Sequence, residues 1–135
     1  MFSRLFAPRA TAHAHCDLPC GVYDPAQARI EAESVKAIQE KYQANEDPVF
    51  KTRAIFIKEQ RAELVKHHLW VLWTDYFKPP HFEKYPNLHQ LFNEATKLAG
   101  GGGGTKAVSD AAKADELLAK IDEISKIFWE TKQAA

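Results

Sequence analysis

The sequence is poor in cysteine, has no long apolar run and carries no excess of either charge. Only two of its 135 residues are Cys, which excludes a disulfide-rich scaffold. Its longest apolar run, residues 69–73, is far shorter than the roughly 20 residues that span a membrane. Lys and Arg total 18 and so do Asp and Glu, whereas a nucleic-acid-binding surface needs a basic excess. We therefore expect a cytoplasmic globular protein with no membrane span and no nucleic-acid partner.

Signals for β-structure are missing as well, and helical signals take their place. No period-two apolar alternation stands out. Asp24-Pro25 and Asp47-Pro48 each combine a capping Asp with Pro at the first helical position, and Pro79-Pro80 ends the second pattern. The apolar spacing predicts four helices, over about 25–44, 48–77, 86–99 and 107–131. Short links between them predict an all-α fold, an antiparallel four-helix bundle over 25–135.

Five consecutive glycines, Gly100 to Gly104, separate the third and fourth predicted helices. Glycine has the widest backbone freedom, so the run predicts a flexible interhelical loop. No strand precedes it and no Walker-type Lys-Ser/Thr follows it, so it does not indicate phosphate binding.

Two charged residues interrupt the apolar faces of the first two helices. Glu31 lies one turn before Val35 and Arg61 one turn after Ile57, so both are expected to face the apolar side. Burial of either charge alone costs several kcal/mol. Their long stems can carry the charges to the end of the bundle, or the two residues can pair or support a polar site.

Residues 1–14 differ from the rest of the chain, with two Arg and no acidic residue. Residues 12–14 read Ala-His-Ala, the small-x-small form of a secretory cleavage site. However, Arg4, Pro8 and Arg9 interrupt the continuous apolar stretch of about 7–15 residues that a secretory signal requires. A short leader over 1–14, removed by another peptidase, fits this segment better.

Both cysteines lie in one short segment together with a histidine. Residues 15–25 read His-Cys-Asp-Leu-Pro-Cys-Gly-Val-Tyr-Asp-Pro, which places His15, Cys16 and Cys20 within six positions. Two Cys at this spacing can be two unrelated thiols or a redox dithiol, although dithiols usually have two intervening residues. A structural zinc site needs four ligands, and only three are local unless His13 joins them.

A cut directly before His15 would complete a different donor set. It would expose an α-amine at His15, which with the Cys16 amide and both thiolates makes two nitrogen and two sulfur donors. Planar donors of this kind indicate Ni(II) or Cu(II), with the His15 imidazole within reach of an axial position. Pro19 and Gly21 allow the short loop to bring Cys20 back towards Cys16.

The segment 15–25 resembles the nickel hook of the nickel superoxide dismutase family. The resemblance extends over essentially all of 15–135, including LWVLWTDYFKPP at 69–80 and KIFWETK at 126–132. It implies conversion of superoxide to O2 and H2O2 by Ni(II)/Ni(III) cycling, with one nickel ion per subunit. It also implies a homohexamer of four-helix bundles and a peptidase that removes residues 1–14. The chain then divides into a leader, a hook over 15–24 and the bundle.

The resemblance also implies a role for each hook residue. His15 supplies its amine and its imidazole, Cys16 its amide nitrogen and thiolate, and Cys20 the second thiolate. Tyr23 matches a tyrosine that stands over the open face of the metal and limits access. Asp17 matches a residue beside that pocket.

Three residues outside the hook complete the resemblance. Glu31 and Arg61 match a pair that positions the imidazole, a usual task of acidic groups behind a ligating histidine. This match gives the two charged interruptions of the helix faces a common reason. Lys78 matches a lysine that helps to attract the anionic substrate across a subunit boundary.

The residues alone leave two other functions open. A nickel or copper carrier can use the same hook without turnover, and in a purely structural bundle the grouping of His and Cys is a coincidence. The remaining helical histidines are expected to have no ligand role; they are His67, His68, His81 and His89. The tryptophans are expected to anchor the core or a subunit interface; they are Trp70, Trp73 and Trp129.

Overall fold

The structure is a computed structural model that describes residues 21–134, and within that range all regular secondary structure is helical. It contains α1 (Ala26–Ala44), α2 (Pro48–Val71), α3 (Pro79–Lys84), α4 (Leu88–Leu98) and α5 (Ala111–Gln133). A π-helical turn, Leu72–Tyr76, continues α2 without a break. The four long helices are those that the sequence predicts, and the short α3 is an addition to them.

The four long helices surround one core. α1 packs against α2 and α5, and α4 packs against the same two helices on the other side. Leu69, Phe92 and Phe128 fill the centre and are fully buried. α1 contributes the small side chains Ala28 and Ala32 there, which lets its backbone approach its neighbours closely. The predicted four-helix bundle is confirmed.

None of the helices within residues 21–134 combines the length and the apolar content that crossing a membrane requires.

Aspartate side chains begin three of the helices. The Asp47 carboxylate accepts a hydrogen bond of 3.0 Å from the backbone N–H two residues on, and Asp24 does the same at 2.8 Å. Pro25, between Asp24 and α1, is buried. Asp110 caps α5 in the same way at 2.9 Å, so this helix begins at Ala111 and not near 107 as the apolar pattern suggested. Each cap satisfies a backbone donor that the first helical turn leaves unpaired.

The end of α2 departs from the regular α-helix. The Phe77 N–H donates to the Leu72 carbonyl, five residues earlier, at 3.0 Å, which is π-helical geometry. Lys78 is then extended, with φ −119° and ψ 165°, because a following proline disfavours helical backbone. Pro79 and Pro80 end the run of α2, as predicted, but they also begin α3, since proline suits the first positions of a helix.

The buried face of α2 differs from the predicted one at its N-terminal end. Ile57 is 40% exposed, whereas the next residue, Lys58, is only 4% exposed. Gln39 of α1 is also fully buried, so two polar side chains take core positions at this end of the bundle. The prediction for Ile57 was wrong because hydropathy assigns lysine to the surface. The groups that bind this lysine lie in a loop about 50 residues away in sequence.

The five-glycine run is an interhelical loop, as predicted, but a closely packed one. Lys58 Nζ donates to the carbonyl oxygens of Lys106 and Val108 at 2.9 and 2.8 Å. The Gln39 side-chain amide also donates to the Val108 carbonyl, at 3.0 Å. Gly104 is buried, and a Cβ there would come within 2.7 Å of three backbone carbonyl oxygens of residues 97–100. The loop is thus packed on the end of α4 and bound by α1 and α2.

Gly104→Ala is expected to lower the free energy of unfolding by about 1–3 kcal/mol, because the added methyl group has to displace backbone. Gly102→Ala is the matched control, since a Cβ at Gly102 meets nothing within 4 Å. Urea unfolding followed by circular dichroism measures both variants. Equal stability of the two variants would contradict the close packing of the loop.

Lys58→Met is expected to lower the free energy of unfolding by about 1–2 kcal/mol, because the Lys106 carbonyl loses its donor at a poorly solvated position. Lys113→Met serves as the control. It removes a lysine that pairs with Glu116 at the surface, so a change below about 0.5 kcal/mol is expected. A Lys58 variant as stable as this control would show that the ammonium does not hold the loop.

The stability difference between the wild-type protein and Lys58→Met is expected to increase with pH. Burial lowers the pKa of Lys58 from its ordinary value of 10.5. Between the lowered value and 10.5 the unfolded chain binds more protons than the folded one, so a rise in pH favours the folded wild type. Urea unfolding at about pH 7 and about pH 10 measures the difference, and a smaller difference at the higher pH would contradict the lowered pKa.

Candidate metal centre

Four of the predicted site residues, His15, Cys16, Asp17 and Cys20, lie outside the described residues. Within residues 21–134, no three His, Cys, Asp or Glu side chains lie close enough together to hold a metal ion. Any metal centre of this kind therefore draws ligands from the segment before Gly21, which contains both cysteines of the chain. The described part of the site is the surface of the bundle from which this segment extends.

The chain passes from this segment into the bundle through an anchored turn. Gly21 has φ +71°, a left-handed conformation that residues with a side chain rarely adopt. Tyr23 is half-buried, and the Asp24 cap with the buried Pro25 then fixes the chain to the first turn of α1. Residues 21–25 thus fix the place where the chain joins the bundle.

Tyr23 packs against Tyr76 of the π-helical turn, with ring centroids 5.5 Å apart and planes tilted by 58°. Tyr76 in turn packs on Phe128 of α5, with centroids 4.4 Å apart. Its hydroxyl lies 2.7 Å from Thr131 Oγ1, and the Thr131 hydroxyl donates to the Phe128 carbonyl. Because the Thr131 proton is used in that bond, the Tyr76 hydroxyl is the donor to Thr131. The phenol of Tyr76 therefore has a fixed orientation.

Lys132, in the last turn of α5, brings a positive charge to the same place. Its Nζ lies 3.4 Å from the Gly21 carbonyl oxygen and donates to it. The ammonium also lies 5.2 Å from the ring centre of Tyr76 and 5.7 Å from that of Phe128. Aromatic faces attract cations at such distances. One lysine thus contacts both the first described residue of the chain and the aromatic group beneath it.

Glu31 and Arg61 are paired. Arg61 Nη1 donates to both carboxylate oxygens of Glu31, at 3.3 and 3.2 Å. The Glu31 side chain is 16% exposed and that of Arg61 37%, so the pair lies at the edge of the core and links α1 to α2. The alternative in which each charge reaches solvent on its own is therefore wrong. The pair lies about one and a half helical turns from the start of α1.

Lys78 is exposed and lies between the π-helical turn and α3. Its backbone N–H donates to His81 Nδ1 at 3.1 Å, and the His81 ring stacks on Tyr76 with centroids 5.8 Å apart. The structure thus places Tyr23, the backbone of Lys78 and Lys132 around one residue, Tyr76. The Glu31–Arg61 pair forms a second group.

Tyr76 and Lys132 are site residues that the sequence pattern does not reveal. Tyr76 reads as a core position of a long helix, and Lys132 reads as one of many surface lysines. No spacing rule relates residue 132 to residue 21. Only the family resemblance could have pointed to these two residues, because they lie in the stretches 69–80 and 126–132 that resemble the family.

His89 and Trp73 contact each other. His89 Nδ1 accepts a hydrogen bond of 2.9 Å from Trp73 Nε1, and the His89 ring stacks on Phe82 at 3.8 Å. Trp73 is partly buried and packs on the core. Trp70 and Trp129 are 38% and 47% exposed, and their role as anchors of a subunit interface stays a prediction.

Comparisons with known proteins agree with one another. A family model described as nickel-containing superoxide dismutase matches residues 10–132. Proteins named superoxide dismutase (Ni) from Streptomyces coelicolor and Streptomyces seoulensis are each 66% identical over 134 residues, covering 99% of this chain and 100% of theirs. A solved native structure of nickel superoxide dismutase has a TM-score of 0.84 at 66% identity. It covers 88% of this chain and 99% of its own. A structure with nickel ligation of the oxidised state also has a TM-score of 0.84, at 67% identity.

A double-mutant cycle of Glu31→Gln and Arg61→Met is expected to give a coupling energy of about 0.5–1 kcal/mol, because the pair is partly exposed. Urea unfolding of the wild type, both single variants and the double variant measures it. The pair Lys113 and Glu116, which is more exposed, provides a control cycle with an expected coupling near zero. A coupling of Glu31 and Arg61 no larger than in the control would contradict a structural link between α1 and α2.

Proposed function

Because this chain belongs to the family of nickel-containing superoxide dismutases, we propose that His15, Cys16 and Cys20 hold the nickel with which it acts on superoxide. Its activity is the conversion of two superoxide anions and two protons to O2 and H2O2, with nickel as the cofactor. The observation that carries the assignment of ligands is the position of the hook. Its ligand-bearing part, residues 15–20, directly precedes Gly21, where the bundle anchors the chain.

The donor set and its described surroundings fit this cofactor. When bound, nickel would supply the one-electron couple that dismutation of superoxide needs. Two thiolates and a deprotonated amide carry three negative charges, one more than bound Ni(II) would balance, so a nearby positive charge would favour the bound form. Lys132 provides one beside Gly21, the residue that follows Cys20. The Tyr23 and Tyr76 rings cover the neighbouring surface without adding a competing ligand.

We propose that residues 1–14 are removed, because only a cut before His15 gives its nitrogen the character of an amine. Support comes from the relatives. The curated relatives match nearly the whole of this chain. In the match to the solved native structure, 88% of this chain covers 99% of the solved chain. The solved chain is therefore shorter than this one by roughly the length of the leader. The α-amine, with an ordinary pKa of about 8, binds a metal at neutral pH by losing its proton.

Tyr23 is proposed to limit access to the metal, with Asp17 beside it. The contact with Tyr76 holds the Tyr23 ring against the bundle. Since the Tyr76 hydroxyl donates to Thr131, its proton is committed to that bond, and Tyr76 orients Tyr23 instead of delivering a proton. Tyr23 is half-buried, and in this role it would admit a diatomic anion and exclude larger reductants.

The Glu31–Arg61 pair is proposed to orient the His15 imidazole from the bundle side. Arg61 holds both carboxylate oxygens of Glu31, so the carboxylate has one position and retains acceptor capacity for an imidazole N–H. Carboxylates in this role set the orientation and basicity of a ligating histidine. The partial burial of Glu31 keeps this interaction from being lost to water.

We further propose a cytoplasmic homo-oligomer, a hexamer by family resemblance, in which Lys78 attracts superoxide towards a neighbouring subunit. α2 supports an oligomer, because it exposes Val49, Ile55 and Phe56 at 66%, 43% and 68%. Grouped apolar side chains of this kind are typical of protein interfaces. Exposed lysines such as Lys78 raise the encounter rate of a small anion.

Protein that begins at His15 is expected to bind one nickel per chain and to dismutate superoxide. The full chain is expected to be at least about 100-fold less active, because its His15 nitrogen is an amide and one donor is lost. Nickel content by elemental analysis and superoxide decay by stopped-flow absorbance measure the two properties. Equal activity of the full and trimmed chains would contradict the proposed ligand set.

Two matched variants distinguish the effect of an α-amine at His15 from the effect of removing the leader. A chain that begins at Ala14 also has an α-amine, but one residue too early, and it is expected to be as inactive as the full chain. Trimmed Cys16→Ser keeps the amine and loses a thiolate, and the same loss is expected. Full activity in either variant would exclude the proposed nitrogen and sulfur donors.

A further inference from the structure

We propose that Lys132 is a positioning residue that ties the chain to the bundle at Gly21 and so restrains the proposed metal ligands that precede Gly21 in sequence. The inference deepens the proposed function and rests on it, because the hook matters only if it holds the metal. Among the described residues, Lys132 contacts Gly21, Tyr76 and Phe128. It acts through the backbone of Gly21.

The geometry places Lys132 between two parts of the site. Its Nζ donates to the Gly21 carbonyl at 3.4 Å, across 111 positions of sequence. The same ammonium lies over the Tyr76 ring, and Tyr76 packs on Tyr23. Movement of the hook away from the bundle would break the hydrogen bond first, and movement of Tyr76 would remove the aromatic face beneath the ammonium. Lys132 therefore couples the position of Gly21 to that of the tyrosines.

The last turn of α5 is built to hold this arrangement. Phe128 packs beneath the Tyr76 ring, and Thr131 accepts the hydrogen bond of its hydroxyl. Lys132 follows directly and reaches over the same ring. A positive charge is also favoured at this end of a helix, because the unpaired carbonyl groups of the last turn are partly negative. Three positions of a single turn thus hold Tyr76 from different sides.

The charge of Lys132 matters as well as its hydrogen bond. Cys20, a proposed thiolate ligand, immediately precedes Gly21. A hook with two thiolates and a deprotonated amide concentrates negative charge, and an ammonium at its base stabilises the bound form over the released form. Arginine in place of lysine keeps this charge and the donor, whereas methionine keeps only the length and the apolar stem.

The test uses the chain that begins at His15, with Lys132→Met, Lys132→Arg and the control Lys126→Met. Lys126 is an exposed lysine of the same helix, so its loss removes one positive charge from α5 away from Gly21. Nickel affinity is measured by competition with a chelator, and the thermal midpoint is measured on metal-free protein. Amide hydrogen exchange of Val22 and Tyr23, also in metal-free protein, reports on the tether without nickel.

Lys132→Met is expected to weaken nickel binding about three- to tenfold, less than the usual effect of a hydrogen bond to a charged group, because the lysine is exposed. Exchange of the two amides is expected to rise at least threefold. Lys132→Arg is expected to restore both values to within about twofold, and Lys126→Met to change neither. The metal-free thermal midpoint is expected to stay within about 2 °C in all variants.

Nickel affinity and exchange that are unchanged in Lys132→Met would overturn the inference. So would a loss that arginine does not restore, or one matched by a fall in the metal-free thermal midpoint, because Lys132 would then act only in folding. If the proposed function itself is wrong, a different result is expected. In that case the unsubstituted trimmed chain binds no nickel, and the exchange of Val22 and Tyr23 still decides whether Lys132 holds the hook.

Discussion

The contact of Tyr23 with Tyr76 beneath the Lys132 ammonium is the interaction on which the proposed site depends. A segment of so few residues offers too little apolar surface to offset by itself the conformational entropy that is lost when metal ligands are held in one place. The bundle supplies the missing order at the point where the segment joins it. The aromatic ring contact, the hydrogen bond to Gly21 and the Asp24 cap restrain three successive parts of the chain.

The bundle can restrain the chain where it joins α1 because the two ends of the bundle differ. The end near the hook is apolar and aromatic, with the π-helical turn directing Tyr76 onto Phe128. The opposite end contains the buried Lys58 and Gln39, which bind the backbone of the glycine-rich connection. Polar groups that bind backbone carbonyls specify one arrangement of a loop, whereas apolar packing tolerates several. The polar end therefore fixes the placement of α5, whose last turn reaches the hook at the other end.

Helical periodicity predicts only part of the pairing of Glu31 with Arg61. The step from Ile57 to Arg61 placed the arginine on an apolar face, yet Ile57 is itself exposed, and the buried face lies one position further along. Arg61 still meets Glu31, because its long side chain reaches across from the edge of that face. Helical spacing thus located the residue to within one position. The contact itself depends on the packing of α1 against α2.

The sequence by itself determined the four long helices and the Asp-Pro starts of α1 and α2, because spacing and capping are local properties. Its donor chemistry, which is also local, predicts the hook at 15–24. The tertiary structure alone decided that Lys58 is buried, that Pro79 begins a further helix and that Lys132 meets Gly21. Each of these depends on groups distant in sequence or on which backbone arrangement the packing leaves room for. From sequence alone a lysine is assigned to the surface, because the carbonyl groups and aromatic faces that bind it come from parts of the chain that only the fold brings close.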